Sequence, residues 1–214
     1  MKLNISISKD ELSQLPTMVY PAEVTVVEDA GTARTAVRAL NKEKIVGFDT
    51  ETRPSFKKGQ RHNVALMQIS TFDRCFLFRL NKIGISDELK AFLENPGITK
   101  IGLSIHDDFN ALHRSSEVAC KGFIDLQQYV KPFGITDISL QKIYAIIFGE
   151  RISKSQRLTN WEADTLTPGQ QSYAALDAWA CLKIYEHLRD GGFHPAESPY
   201  RHEEEAPAPN DAKR

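Results

Sequence analysis

Apolar and polar positions follow two different rhythms along the chain. Short apolar runs rich in β-branched and aromatic residues predict strands, whereas apolar positions three or four residues apart predict helices. The strand signals lie at 23–27, 44–49, 63–71, 74–80, 100–104 and 122–126. The helix signals lie at 29–41, 86–95, 107–115, 138–148 and 168–189, with a short helix predicted from the capping box at 8–11. This order predicts a mixed α/β sheet covered by helices.

The two ends of the chain differ from this alternating body. With 214 residues, one domain is expected. Prolines at 16 and 21 interrupt the start, so we expect residues 1–22 to form an N-terminal extension and 23–192 the folded domain. Residues 193–214 are rich in Glu, Pro and Ala and poor in large apolar residues, which predicts a disordered tail.

Composition excludes several classes of protein. No apolar run is long enough to span a membrane, and the N-terminus lacks the apolar core of a signal peptide, so we expect a cytoplasmic protein. The three cysteines are far apart and form no CxxC pair, which argues against a disulfide framework or a cysteine zinc site. Net charge is −1; residues 196–214 contain five acids and three cations, or −2, which leaves +1 on the rest. This balance does not by itself indicate a nucleic-acid-binding protein, but weakens such a function only slightly.

Two carboxylates follow the apolar strand 45–48. Asp49 and Glu51 are two residues apart, so on a strand they point to the same face and converge. Converging carboxylates repel each other unless a cation lies between them, and hard divalent cations prefer oxygen ligands. For this motif alone, a solvated strand end is the simpler interpretation.

Two further segments carry acids that could join this pair. Asp108 follows the strand 100–104 and stands four residues before Leu112, on the helix face directed at the sheet, whereas its neighbour Asp107 has the position of a helix cap. Tyr173 and Asp177 are four residues apart on the long helix and share one face. Taken alone, this pair would be read as a core tyrosine and a surface aspartate.

The ordered set resembles a known family. Asp49-x-Glu51, Asp108 and Tyr173-x-x-x-Asp177 are similar, in order and interval, to the tyrosine subclass of the DEDD superfamily of 3′-5′ exonucleases, which includes ribonuclease D and the Werner-syndrome helicase exonuclease domain. The segments 63–70, 100–102 and 159–178 resemble the flanking sequence of its motifs, so the resemblance covers about residues 24–190. It implies a ribonuclease-H-like fold and hydrolysis of nucleic acid, DNA or RNA, from a free 3′ end.

The resemblance also implies roles for individual residues. The family uses two divalent cations, Mg²⁺ or Mn²⁺, which implies that the four acids are metal ligands and that Tyr173 orients the attacking water. Asp49 would bridge the ions, Glu51 and Asp177 would hold the one that carries the water, and Asp108 would support the second. Thr52 stands where many relatives have an aromatic residue. The candidate contacts to nucleic acid are Thr50, Thr52, Arg53, Lys154 and Trp161. Two basic segments could also contact phosphates: Arg53, Lys57, Lys58 and Arg61, and Arg151, Lys154 and Arg157.

Alternative interpretations stay open at this point. Trp161 could equally be a core tryptophan, and the basic segments could simply be solvated. The same fold could also serve as a catalytically inactive nucleic-acid-binding module, or as a phosphohydrolase of very short oligonucleotides.

Overall fold

The computed structural model describes residues 6–201, which fold around one mixed sheet of six strands. The order across the sheet is β1-β4-β3-β2-β5-β6. β3 is antiparallel to both β2 and β4, while the pairs β1–β4, β2–β5 and β5–β6 are parallel. The strands are β1 (Glu23–Val27), β2 (Ile45–Thr52), β3 (Val64–Ser70), β4 (Arg74–Phe78), β5 (Thr99–Gly102) and β6 (Phe123–Asp125). The predicted mixed α/β sheet flanked by helices is therefore confirmed.

Helices cover both faces of the sheet. They are α1 (Lys9–Gln14), α2 (Ala30–Leu40), α3 (Leu80–Ile83), α4 (Asp87–Glu94), α5 (Ile105–Leu112), α6 (Leu126–Tyr129), α7 (Leu140–Phe148) and α8 (Pro168–Asp190). One apolar core lies between the sheet and α7 and α8, and a second lies between the sheet and α2, α4 and α5. Every residue of β3 is buried because the sheet is covered on both sides there.

The long helix α8 crosses close against β2. It begins with a capping box between Thr167 and Gln170, followed by Pro168 at its first position. Gly47 of β2 faces it, and a Cβ atom at this position would overlap the backbone carbonyl of Ala178. Only glycine allows this approach, which places the middle of α8 directly over β2.

Several predicted boundaries differ from the structure. β2 continues to Thr52, three residues beyond the predicted end, because it keeps pairing with β3 after β5 has ended. The capping box at Ser8 does begin a helix, and a predicted helix at 107–115 begins earlier, at Ile105. The one-turn helices α3 and α6 escaped prediction because they are shorter than a hydrophobic period can reveal.

The two ends of the described chain pack on the domain. In the extension, Ile7, Leu12 and Tyr20 belong to the core beneath α8. The expectation of a disordered tail from residue 193 is wrong for 193–201, because Tyr200 is buried and its hydroxyl lies 2.8 Å from Nε2 of His187. Residues 202–214, the rest of that predicted tail, lie outside the described residues. Within 6–201, no helix is both long and apolar enough to cross a membrane.

Candidate active site

Three carboxylates converge where β2 extends beyond the end of its pairing with β5. The parallel pairing with β5 involves only Ile45–Gly47, so one edge of β2 is free of β5 from that point onward. Asp49 and Glu51 lie on this stretch, and α8 brings Asp177 against it. Ligand oxygens of the three residues all lie within 4.8 Å of one another. The strand alternation and the close approach at Gly47 together build this group.

The environment of these acids opposes their ionisation. Burial, and after it the charge of Asp177, raises the pKa of Asp49 well above its usual range. Burial and the neighbouring acids raise the pKa of Glu51 to about 10, and burial raises the pKa of Asp177 to about 7. Carboxylates in such a group ionise together only when a positive charge compensates them. The oxygen-only donor set therefore fits a hard divalent cation, whose binding would release protons.

Asp108 approaches β2 from a different direction. It lies on α5, which packs against the core on the opposite side of the sheet from α8, and the side-chain hydroxyl of Thr50 donates a hydrogen bond to it over 2.5 Å. Burial and then the charge of Asp49 raise its pKa to about 8. Among the described residues, the carboxylates within 4.8 Å of one another do not include Asp108. The structure thus places Asp108 beside the group rather than within it.

The position of α5 depends on a residue that the sequence patterns did not indicate. Asp125, at the end of β6, accepts hydrogen bonds from the backbone N–H groups of Ser104 and Ile105, both over 3.2 Å. Ser104 has a φ of 58°, an uncommon left-handed conformation for a residue other than glycine. Asp125 therefore fixes the start of the helix that carries Asp108. Its one sequence signal is its place near the end of the predicted strand 122–126.

Tyr173 lies one helical turn before Asp177, on the same face of α8. Burial, followed by the charges of Asp177 and Glu51, raises its pKa above the ordinary value of a phenol, so it remains protonated at neutral pH. Trp161 packs beside it, with the two ring centroids 6.0 Å apart. Of the two interpretations of Trp161, its full burial favours the core tryptophan over the nucleic-acid contact. It is a core residue that supports Tyr173.

Two depressions meet at Thr50 and Glu51. The first, of about 430 Å³, also contains Asp49, Tyr173 and Asp177, together with the basic residues Lys154 and Arg157. The charge of Lys154 lowers the pKa of Asp177 and that of Arg157 lowers the pKa of Glu51, although burial outweighs both effects. Of the two predicted basic segments, the one that contains Lys154 and Arg157 thus places positive charge near the acid group.

The second depression, of about 460 Å³, lies on the side of Asp108 and is bordered by Thr52, Asn110 and two arginines, Arg61 and Arg114. Arg53, a predicted nucleic-acid contact, pairs with Glu162 over 3.4 Å on the surface. The two depressions share Thr50 and Glu51 as lining residues.

Gln68, like Asp125, is a polar residue near the acids that the sequence patterns did not indicate. Gln68 on β3 is the register partner of Asp49, and its side chain is fully buried. Neither amide atom has a hydrogen-bond partner among residues 6–201.

Comparison with known proteins agrees with this geometry. The sequence model of a family described as 3′-5′ exonuclease matches residues 24–191. This chain belongs to the 3′-5′ exonuclease family. It is 31% identical over 188 residues to the bifunctional 3′-5′ exonuclease/ATP-dependent helicase WRN of Mus musculus, covering 83% of this chain and 13% of that protein. It is 34% identical over 149 residues to exonuclease 3′-5′ domain-containing protein 2 of Drosophila melanogaster, covering 68% of this chain and 25% of that protein. The chain thus spans a quarter or less of the length of these two exonucleases.

Solved structures show the same fold. RNase D of Escherichia coli, described as an exoribonuclease involved in structured RNA processing, superposes with a TM-score of 0.69 at 22% identity, over 82% of this chain and 48% of that one. The catalytic core of RRP6 from Trypanosoma brucei gives a TM-score of 0.71 at 20% identity, over 86% of this chain and 52% of that one. These structures share the fold, and the family model confirms the resemblance to 3′-5′ exonucleases inferred from the motifs.

Proposed function

We propose that this chain is a metal-dependent 3′-5′ exonuclease of the tyrosine subclass, which hydrolyses the last phosphodiester bond at a free 3′ end of nucleic acid. The convergence of Asp49, Glu51 and Asp177 within 4.8 Å, with Tyr173 on the same helix face as Asp177, is the observation that carries the proposal. Membership of the 3′-5′ exonuclease family supports it.

The cation-binding part of the proposal follows from the positions of the acids. Asp49, Glu51 and Asp177 would hold one Mg²⁺ or Mn²⁺, and Asp49 and Asp108 would hold a second. Two such ions, when bound, lower the pKa of water and neutralise charge on the attacking and leaving oxygens. The raised pKa values favour this use, since an acid group that resists ionisation alone binds cations with release of protons.

The remaining side chains would position the substrate and the water. The raised pKa of Tyr173 keeps its phenol protonated at neutral pH, so no phenolate is present to act as a base. We therefore assign Tyr173 to a hydrogen bond that orients the attacking water. Lys154 and Arg157, on the wall of the first depression, carry the charge needed to contact phosphate. Thr50 holds Asp108 through its hydroxyl, and Thr52 borders the second depression, where it would contact the sugar-phosphate backbone.

The decisive experiment is a degradation assay. Purified protein is incubated with 5′-labelled single-stranded DNA and RNA in the presence of Mg²⁺, Mn²⁺ or EDTA. The proposal predicts a ladder that shortens from the 3′ end and is abolished by EDTA and by Asp49→Ala.

A matched pair of variants guards against contamination by another nuclease. Asp108→Asn should lose activity, whereas Asp107→Asn, which changes the adjacent exposed acid, should retain it. Binding of the labelled strands without degradation would instead support the catalytically inactive binding module.

A further inference from the structure

The loop between β2 and β3, residues 53–63, begins directly after the acids of β2. It contains four cations, Arg53, Lys57, Lys58 and Arg61, and no acid. Phe56 stands among them with 83% of its surface exposed, the highest value among the large apolar residues that are exposed in the described chain. A solvent-exposed phenyl ring contributes little to folding, since its hydrophobic stabilisation arises on burial.

The loop is anchored at both ends while its tip projects. Arg53 pairs with Glu162 over 3.4 Å, and Arg114 of the segment after α5 donates a hydrogen bond to the backbone carbonyl of His62 over 2.5 Å. A turn closed by the backbone N–H of Gln60 and the carbonyl of Lys57 shapes the tip, with Gly59 at a φ of 82°. The tip therefore presents Phe56, Lys57 and Lys58 to solvent from a fixed base.

Most cations of the loop are free to contact phosphates. Among residues 6–201, Arg53 is the one cation of the loop that forms an ion pair. Arg61 borders the second depression together with Arg114, so a cation of the loop lies at the edge of the acid group. An exposed aromatic ring beside several cations is the combination that binds single strands, since bases stack on the ring while the cations contact phosphates.

Resting on the proposed function, we propose that loop 53–63 is a binding surface for a single-stranded 3′ region. Phe56 stacks on an unpaired base of the strand, and Lys57, Lys58 and Arg61 contact its phosphates. Because the ring lies outside the acid group, it binds a nucleotide other than the one that is removed. The loop therefore favours unpaired 3′ ends over blunt duplex ends, whose bases are already stacked.

The first test separates the loop from the acid group. Two kinds of substrate are compared. The first is an unstructured oligonucleotide of dT or rU, about twelve nucleotides long, within the strand length that one binding groove covers. The second is the p-nitrophenyl ester of thymidine 5′-monophosphate, which is too short to reach the loop. Phe56→Ala should lower kcat/KM on the oligonucleotide about 5- to 140-fold, the range of one base–aromatic stack, and leave ester hydrolysis unchanged. Phe56→Tyr, which keeps the ring, should restore the oligonucleotide rate.

A matched control is available at the other end of the sheet. Phe72 is 40% exposed and lies in the turn between β3 and β4, opposite the end of the sheet that carries the loop. Phe72→Ala should leave kcat/KM unchanged on both substrates. Equal losses on both substrates in Phe56→Ala, or no loss on either, would overturn the binding surface while leaving the proposed function intact.

The second test concerns charge and does not require cleavage. Fluorescence anisotropy measures binding of the labelled oligonucleotides over a series of KCl concentrations. Replacing Lys57 and Lys58 by alanine should weaken binding and reduce the slope of log K against log salt by about 0.7 per phosphate contact. The paired control, Lys42→Ala with Lys44→Ala just before β2, should leave the slope unchanged.

The binding titration also distinguishes the two proposals. If the wild-type protein cuts neither substrate, the proposed function fails, and weaker binding by Phe56→Ala would still support the loop. If Phe56→Ala and the Lys57/Lys58 variant bind as the wild type does, the loop is not a nucleic-acid surface.

Discussion

The side-chain hydroxyl of Thr50 donates a hydrogen bond to Asp108 over 2.5 Å, joining β2 to α5 at the edge of the acid group. Thr50 lies between Asp49 and Glu51 and points to the other face of the strand. The residue between two proposed metal ligands therefore orients a third.

Replacing Thr50 by valine keeps the shape of the side chain and removes this hydrogen bond. We expect kcat to fall about 10-fold, the usual effect of losing one hydrogen bond to a charged group. The bond lowers the pKa of Asp108, which burial holds at about 8, so its loss raises that pKa further. The defect should therefore be greater below pH 8 than above it. Kinetics across this range test the prediction, and Thr50→Ser should behave like the wild type; a pH-independent defect would contradict it.

Gly47→Ala tests the close approach of α8 to β2. The added methyl group would overlap the carbonyl of Ala178, so we expect a loss of about 3 kcal/mol or more in the free energy of unfolding. Activity should fall as well, because separating the two elements separates Asp49 from Asp177. Gly169→Ala, in the first turn of α8, meets no atom closer than 3.6 Å and should be neutral or slightly stabilising. Urea denaturation of both variants would show the difference, and equal effects would contradict it.

Tyr173→Phe removes the phenol proposed to orient the attacking water. Turnover should fall on the order of 100-fold, as expected when a reactant is no longer held in position. Calorimetric titration with Mn²⁺ should give the wild-type affinity, because the carboxylates are unchanged. Tyr185→Phe, farther along the same helix, should leave both measurements unchanged. Near-normal turnover in Tyr173→Phe would remove the tyrosine from the mechanism.

Lys100 on β5 should make stability depend on pH. Its side chain is fully buried, and its ammonium donates hydrogen bonds to the backbone carbonyls of Asn95 over 2.6 Å and Lys121 over 2.9 Å. Burial lowers its pKa from 10.5 to about 8. Between these values the unfolded chain binds more protons than the folded one, so the contribution of Lys100 to stability rises with pH from 8 to 10.5. Below pH 8 the lysine is charged in both states and this gain is absent.

The Lys100→Met variant provides the measurement. Denaturation midpoints of the variant and the wild type are compared at several pH values between 8 and 10.5. The wild type should gain stability relative to the variant as pH rises, whereas titrating tyrosines affect both proteins alike. Parallel curves would show that the lysine keeps its ordinary pKa in the folded protein.

Local patterns predicted much of the fold. Strand and helix signals placed the six strands and the long helix α8, since these elements carry a full hydrophobic period or a cap such as Thr167. The extension of β2 to Thr52 could not be predicted in this way. It depends on pairing with β3, a contact between segments that are distant in sequence.

The site was predictable where spacing alone determines geometry. Asp49 and Glu51 share a face because they lie two apart on a strand, and Tyr173 and Asp177 because they lie four apart on a helix. Asp125 and Gln68 were missed because their positions depend on segments distant in sequence: Asp125 accepts hydrogen bonds from the start of α5, and Gln68 is buried on the strand next to its register partner Asp49. The burial of Trp161 was likewise undecided, since a tryptophan before a helix is compatible with both a core and a stacking surface.

The contact at Gly47 has a consequence for local opening. Asp49, Glu51 and Asp177 lie on two elements whose backbones touch, beside a strand that is wholly buried, so separating these carboxylates should require unfolding of the domain. Asp108 lies on an eight-residue helix whose first N–H groups depend on the carboxylate of Asp125. Such a short helix opens at lower free energy. Local opening of the native state therefore moves the fourth carboxylate, Asp108, away from the group. The other three keep their spacing until the whole domain unfolds.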